Sequence, residues 1–381
     1  MINVFLLLSE LTPSLETATA RVLALELPRE RFSVAVGVMG PATGPLADEF
    51  RAAKISVHPI TIRHQLDLNG GRRLRRAMKE SKPVVLHTFG LEAARAARFV
   101  VESQSESGNV PRLVVSGGAN PTGGVGGWFT ARLIRRADRA IPMTWAEGER
   151  YRRVNVPAER LTRILPGAPR HTLDPKREVV LRQMGLPPDA RFIVTEAKPE
   201  YGTGPKDAIV AFDMLRYDAR DLHLVVFGAR AGTAALEQFG RSLAFDDFRI
   251  HFPDPNTDRF PADFPHLPVD RATAVQLATA VWITSPDGGV DEAVEAMAAG
   301  KPVVAWANPD LAEIMDDTVT GNLVPAGDKA ALAAKAKAII DDSVLAAWMG
   351  KAGRTRATDR FPVARMVEQF ARVYTELAES G

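Results

Sequence analysis

The sequence predicts an α/β protein built from two doubly wound parallel-sheet domains facing each other across a cleft. Short apolar runs bounded by turn residues alternate with longer helical patterns almost from end to end, the signature of strand-helix-strand units. The alternation breaks once, at Pro166–Pro169 and His171–Lys176, where Pro, Gly and charge replace periodicity, and then restarts. The 381 residues suit two domains of ordinary size rather than one. These observations divide the chain into residues 1–168 and 177–361, followed by a terminal helical stretch, 362–381.

Each element follows from its local pattern. In the first half the strands are expected at Asn3–Leu8, Ser33–Gly37, Ser56–Pro59, Val84–His87, Arg112–Ser116, Ala140–Met143 and Arg163–Leu165, with helices such as Thr17–Leu27 and Ala146–Val154 between them. The second half begins with strand Arg191–Thr195, helix Pro205–Leu215, strand His223–Phe227, helix Thr233–Ser242 and strand Arg249–Phe252. It continues with helix Arg271–Ala280, strand Val281–Thr284, helix Glu292–Ala299 and strand Pro302–Ala305. Between Phe252 and Arg271 a Pro-rich run without periodicity reads as a long irregular loop. Ala330–Ile340 and Ala364–Ala378 are amphipathic helices, the last long enough to pack back across another domain.

Composition narrows the function. Apolar residues at 46% and charged residues at 25% are the balance of a globular protein. Lys and Arg number 48 against 46 Asp and Glu, so no overall field argues for nucleic acid as a partner. With no cysteine the chain can form no disulfide and use no thiolate, which fits a reducing cytoplasm. The opening run MINVFLLL is short, lacks a basic start and reads as a buried strand, not a leader. No stretch approaches the roughly 20 apolar residues of a membrane-spanning helix.

The most informative stretch is SPDGGVDEAVEAMAAGKPVV, from Ser285 to Val304. Ligands of open parallel sheets bind beyond the carboxyl ends of strands, and the strand AVWITS delivers Pro286–Val290 to that side. Gly288 and Gly289 permit close backbone approach, and the helix that follows offers unpaired amides and a positive dipole end to a phosphate. Glu295, about two turns along the helix from Asp287, can reach a hydroxyl-rich group beside it. Twin glycines also serve as a plain helix-entry turn, and by themselves they do so more often.

The fuller string resembles the donor-binding half of the family 4 glycosyltransferases of GT-B fold. In that family an acid-glycine corner is followed, after seven intervening residues, by a second Glu leading into Ala-Met-Ala and then Gly-(Lys/Arg)-Pro-Val-Val. Here Glu295-Ala296-Met297-Ala298-Ala299-Gly300-Lys301-Pro302-Val303-Val304 matches, as do Ala312-Glu313-Ile314 and Thr320–Asp328. Val84–Gly90, Ala158–Gly167 and Lys206–Leu215 followed by Asp221–Gly228 fall in the expected order, so the resemblance covers nearly the whole chain. It implies two Rossmann-like domains, the first on the acceptor side and the second binding the nucleotide sugar, with a final helix returning to the first. It also implies roles: Glu295 for the ribose, Asp287 for the donor sugar, and the backbone of Gly288, Gly289 and Val290 for sugar and diphosphate.

The sequence departs from that pattern where charge is needed most. Breaking a glycosyl-diphosphate bond leaves charge on the diphosphate, which the family stabilises with an Arg and a Lys on the loop after the first strand of the second domain. Here Lys198 falls at the Arg position and Thr203 at the Lys position, while Lys206 lies three residues further on. Lys keeps the charge but loses the bidentate fork, and Thr loses the charge. In the first domain Thr12–Glu16 contains no glycine where relatives carry a pair, and Gly117–Pro121, where many relatives carry a catalytic-site His, opens a glycine-rich stretch suited to an acceptor loop. His87 matches a cleft-facing position in relatives. As a lone strand-end His it reads equally as a hydrogen-bonded structural residue.

Two basic runs, Arg72–Lys79 and Arg132–Arg139, read first as solvated helix faces with buried aliphatic stems. The rival is peripheral contact with an anionic membrane surface, aided by Trp128-Phe129. The His residues are scattered, so no metal-ligand spacing appears and no cofactor is expected. The expected protein is a cytoplasmic, metal-independent glycosyltransferase, with peripheral contact at the inner membrane face as the rival reading of its basic runs. It would move a sugar from a nucleotide-diphosphate donor to a glycan, lipid-linked or small-molecule acceptor. The alternative is a catalytically inactive protein of the same fold that binds a nucleotide sugar or serves as a scaffold.

Overall fold

A computed structural model describes residues 1–11, 15–62, 67–101, 110–117, 131–169, 176–198, 202, 204–228, 230–244, 249–253, 269 and 271–380. The chain divides into two compact units, Met1–Gly167 with Pro362–Gly381, and Ala168–Phe361. Each unit is built on its own parallel sheet with helices on both faces.

In the first unit the strands are β1 (Ile2–Leu8), β2 (Phe32–Val38), β3 (Ser56–Pro59), β4 (Val85–Phe89), β5 (Arg112–Ser116) and β6 (Arg139–Ile141), in spatial order β3-β2-β1-β4-β5-β6. In the second they are β7 (Arg191–Ala197), β8 (Leu222–Gly228), β9 (Ile250–His251), β10 (Ala280–Ile283), β11 (Val303–Trp306) and β12 (Gly321–Val324), in order β12-β11-β10-β7-β8-β9. The two orders are the same doubly wound path: three strands run outward from the first in one direction, and the fourth returns to pair on its other side. The reversal falls between β1 and β4 in one unit and between β7 and β10 in the other.

The apolar runs of the sequence are explained by burial on both faces. Along β1, Val4, Leu6 and Leu8 enter one core with Phe89, Phe370 and Tyr374, while Phe5 and Leu7 enter a second core with Leu86 and Leu113 on the opposite face. The first of these cores is covered by the helix Leu15–Glu26 and by the terminal helix Val363–Glu379. That terminal helix buries Val363, Met366, Val367, Phe370, Tyr374 and Leu377 on one stripe, each large side chain contributing about 1.5–3 kcal/mol of transfer free energy. In the second unit Ile193, Leu224, Val226, Trp282 and Val304 meet the helices Gly204–Leu215 and Lys329–Asp341.

Several elements differ from expectation. Arg163–Leu165 forms no strand; the chain before it is tied to β6 by one bridge, Ala140 to Leu161, and the Ile164 amide donates to the Pro142 carbonyl at 3.1 Å. β12, with the sequence GNLV, pairs in parallel with β11 although Gly and Asn depress strand propensity, because Val303–Trp306 supplies a full ladder of partners. The helix Ser343–Arg360 has little amphipathic contrast and buries small residues, Gly350, Gly353 and Ala357, so periodicity alone does not mark it. The irregular run 254–268 and the glycine-rich stretch 118–130 lie outside the described residues.

His87 shows how completely the first core closes. Its side chain is fully buried, with Nδ1 2.6 Å from the Tyr374 hydroxyl and Nε2 2.7 Å from Ser116 Oγ. Its ring lies 4.1 Å from that of Phe89 and 5.3 Å from that of Phe370. His87 is therefore a core residue rather than a catalytic one, because both ring nitrogens are committed and no face of the ring is open. Burial lowers its pKa from 6.5 to about 3. The unfolded chain then binds a proton near 6.5 and the folded chain does not, so stability falls as the pH drops from 6.5 toward 3, by up to about 5 kcal/mol. We expect the stability advantage of wild type over His87→Gln at pH 7 to shrink by more than about 1 kcal/mol at pH 4.5. Denaturation curves showing a constant difference would contradict this account of the core.

Candidate functional site

In a doubly wound sheet the two central strands send their connections to opposite faces, leaving a crevice beyond their carboxyl ends. In the second unit those strands are β7 and β10, and their following loops begin at Lys198 and Thr284. The loops meet closely: a Cβ on Gly204, the first residue of the helix after β7, would lie 1.9 Å from the Thr284 carbonyl oxygen. Only glycine permits that approach.

The corner after β10 is held by the next loop along the sheet. Gly288 and Gly289 have φ values of 76° and 78°, which L-residues rarely adopt. A Cβ on Gly289 would also meet Ile283 Cγ2 at 2.6 Å. The Ser285 hydroxyl donates to the Asp287 carbonyl oxygen. From the loop after β11, Asp310 accepts from the Gly288 amide at 3.0 Å, and Asn308 Nδ2 donates to the carbonyls of Ser285 at 3.2 Å and Gly288 at 3.3 Å. Asn308 also caps its own helix, Pro309–Ile314, accepting from the Leu311 amide at 2.9 Å. With this bracing, Asp287 sits exposed at the corner and the helix Val290–Ala298 starts behind it. Val290 is buried, and the first intrahelical acceptor is Gly289, bonded by the Ala293 amide at 3.1 Å, so the preceding amides present the dipole-positive helix end.

Behind the corner lies a cluster of charge. Lys198 Nζ is 2.7 Å from Glu292 Oε1, 3.3 Å from Asp291 Oδ2 and 3.3 Å from Glu196 Oε2. Arg271, at the start of helix Arg271–Leu277, is 2.8 Å from Glu295 Oε2 and 3.3 Å from Glu196 Oε2. Carboxylates packed around one ammonium cannot all ionise. Burial, reinforced by Glu292, raises Asp291 well above the usual carboxylate range, and burial raises Glu196 to about 7 against the pull of Arg271 and Lys198. Glu292 is penalised most by burial, but Lys198, the hydrogen bonds from Asp291 and Glu196, and Arg271 together outweigh this and hold its carboxyl well below the usual range. Glu196, Asp291 and Glu292 place oxygens within 4.8 Å of one another, a spacing that could hold a metal ion, and the Lys198 ammonium contacts all three.

The structure thus brings Glu295 and Lys198 into one connected network, with Asp287, Gly288, Gly289 and Val290 immediately preceding its members Asp291 and Glu292 in the chain. Thr203 lies outside the described residues. Lys206 does not join the network: it is exposed on its helix with Nζ 5.6 Å above the Phe239 ring. Arg271, Asn308 and Asp310 are residues that sequence reasoning missed. The Asn-Pro dipeptide at a helix start was a legible cap signal for Asn308, but nothing local marked Arg271. In the first unit, a shallow and mostly apolar recess at the carboxyl ends of β4 to β6 is lined by Phe89, Ser116, Ile141, Met143 and Phe370, with Glu16 among its polar residues.

The basic runs are partly consumed by the fold. Arg73 donates to the carbonyls of Ile60 and Thr61 at 2.6 and 2.5 Å, Arg76 pairs with Glu80 at 2.8 Å, and Arg139 lies 3.5 Å from Glu376. Among the described residues no helix is long and apolar enough to cross a membrane.

Two Rossmann-like parallel-sheet units in series are the GT-B architecture, and comparisons with known proteins agree with it. Residues 17–167 match the family described as "Glycosyl transferase 4-like domain", and residues 291–356 match "Glycosyl transferases group 1". Over 231 residues the chain is 28% identical to D-inositol 3-phosphate glycosyltransferase of Corynebacterium kroppenstedtii, covering 60% of this chain and 49% of the relative. Over 88 residues it is 42% identical to phosphatidyl-myo-inositol mannosyltransferase of Mycobacterium leprae, covering 23% of each chain. The chain therefore matches about half the length of one curated relative and about a quarter of the other. Among solved structures, Anabaena HepE in complex with UDP and glucose superposes with a TM-score of 0.77 at 17% identity, over 99% of this chain and 100% of that one.

The braced corner yields a direct expectation. Asn308→Ala removes a helix cap and two bonds to buried carbonyls, so it should cost about 2 kcal/mol of stability in the second unit. A thermal or denaturant unfolding curve unchanged within about 0.5 kcal/mol would show that Asn308 does not hold the corner.

Proposed function

We propose that this protein is a retaining glycosyltransferase of the family 4 type that binds a nucleotide-diphosphate sugar on its second unit and transfers the sugar to an acceptor hydroxyl. One observation carries the reading. At the switch point of the second sheet stand a carboxylate on a helix, Glu295, an ammonium, Lys198, and a glycine corner at a helix N-terminus, and these are the group types that ribose hydroxyls, a diphosphate and a sugar require. The glycosyl transferase matches to residues 17–167 and 291–356 support it.

The roles follow from chemistry. Glu295 accepts from the ribose hydroxyls. Lys198 neutralises charge that builds on the leaving diphosphate, where a fixed cation in a partly enclosed site is more effective than water. Asp287, exposed beside the Gly288 and Gly289 backbone, accepts from hydroxyls of the donor sugar. No metal is needed in this scheme, because the chain's own ammonium lies among the carboxylates. The mostly apolar recess of the first unit is proposed as the seat of the acceptor. The names of the curated relatives, one for a lipid-linked inositol and one for an inositol phosphate, support testing both acceptor classes.

A thermal-shift panel of UDP, GDP, ADP and their sugars tests the donor site. At least one nucleotide should raise the melting temperature of wild type, by about 2–4 °C or more at saturation, and Glu295→Ala should abolish the shift. Wild-type protein that no member of the panel stabilises would overturn the assignment.

A further inference from the structure

The loop after β7 has one cation where the donor chemistry calls for two, and Lys206 lies away from the site over Phe239. The second unit nevertheless places a second cation beside Lys198. Arg271 and Lys198 each approach the same atom, Glu196 Oε2, at 3.3 Å. One carboxylate oxygen bridges them, so the two charges are close enough for one diphosphate to reach both.

We propose that Arg271 and Lys198 together form the diphosphate clamp, that Glu196 occupies the clamp in the unliganded protein, and that Glu295 passes from Arg271 to the ribose when the donor binds. This inference rests on the reading of the second unit as a nucleotide-sugar site, and it names the residue that fills the role left open at Thr203.

Three observations support it. The first is the kind of partner Arg271 has. The buried Arg249 donates to main-chain carbonyls of Ala219, Leu222 and Arg216 at 2.7, 3.3 and 2.5 Å. Arg271, whose side chain is 12% exposed, has carboxylates as its ion-pair partners, and both stand at the ligand end of the sheet. Carboxylates can be exchanged for phosphate oxygens with little change in geometry. The second is the fork. Lys198 replaces the arginine that the resemblance implies, losing bidentate geometry, and Arg271 restores it from a different element, so an Arg and a Lys are both present.

The third is charge balance. Glu196, Asp291, Glu292 and Glu295 face Lys198 and Arg271, so a fully ionised cluster would repel a diphosphate. The bridging carboxylate is the group that must yield. Burial already raises Glu196 to about 7, so placing a proton on this carboxyl costs little near neutrality. Protonated, Glu196 no longer competes for the two cations, and Glu295, released from Arg271, keeps its charge for the ribose hydroxyls.

The test uses the full chain and the nucleoside diphosphate that stabilises it, paired with the monophosphate of the same base, in titration calorimetry. Arg271→Gln should weaken the diphosphate by about tenfold or more while changing the monophosphate by less than about threefold, and Arg271→Lys should recover part of the loss. A merely structural arginine would weaken both ligands together, so an unchanged diphosphate-to-monophosphate ratio in either variant overturns the clamp. If Arg271→Gln does not fold, by circular dichroism, the ratio in Arg271→Lys decides alone. Wild-type protein that binds no nucleoside diphosphate overturns the donor-site reading itself, whereas binding with an unchanged ratio overturns only the clamp.

Discussion

Everything proposed for this protein depends on a constraint that buried charge imposes. Lys198 and Arg271 are held by carboxylates from two elements: β7 gives Glu196, and one helix gives Asp291, Glu292 and Glu295. Charges removed from water must be paired. The pairing therefore fixes where the loop after β7, the start of helix Arg271–Leu277 and the helix Val290–Ala298 stand relative to one another. It also bears on the proposed function, because an arrangement of mutual ion pairs can trade one of its carboxylates for an incoming anion. Replacing these groups with apolar residues of similar volume could preserve the fold, but would remove anything for a phosphate to bind.

The corner at Asp287 complements the cluster with a different kind of rigidity. Its two left-handed glycines are braced by the Asn308 amide and the Asp310 carboxylate from the adjoining loop, so its shape is set before any ligand arrives. Preorganisation of this kind spares the ligand the cost of ordering a loop. The corner is fixed and the cluster is exchangeable, which suits a site that orients a sugar while adapting to a leaving group whose charge changes during reaction.

Much of this was legible in the sequence, for reasons that can be named. Parallel strands buried on both faces read as continuous apolar runs, and Phe5, Leu6 and Leu7, or Val225 and Val226, fall in strands for that reason. The Gly288-Gly289 corner and Glu295 were visible because backbone strain and helix spacing are local properties. Arg271 was not, because its role arises from Glu196 and Glu295, which are far from it in sequence, and the Pro-rich run before it carries no period. The two readings of His87 could not be separated for the opposite reason: a strand-end histidine looks the same in sequence whether it meets a ligand or, as here, Tyr374 and Ser116. The short β12 was hidden because its stability comes from pairing with β11 rather than from its own residues.

The account turns on partner exchange at Arg271 and Glu295, and a crystal structure of the protein with a bound nucleoside diphosphate observes that exchange directly. The account predicts the ribose hydroxyls on the Glu295 carboxylate, the diphosphate on both Lys198 and Arg271, and Glu196 displaced from between them. A diphosphate bound elsewhere on the chain, with the Arg271–Glu295 pair intact, would contradict it.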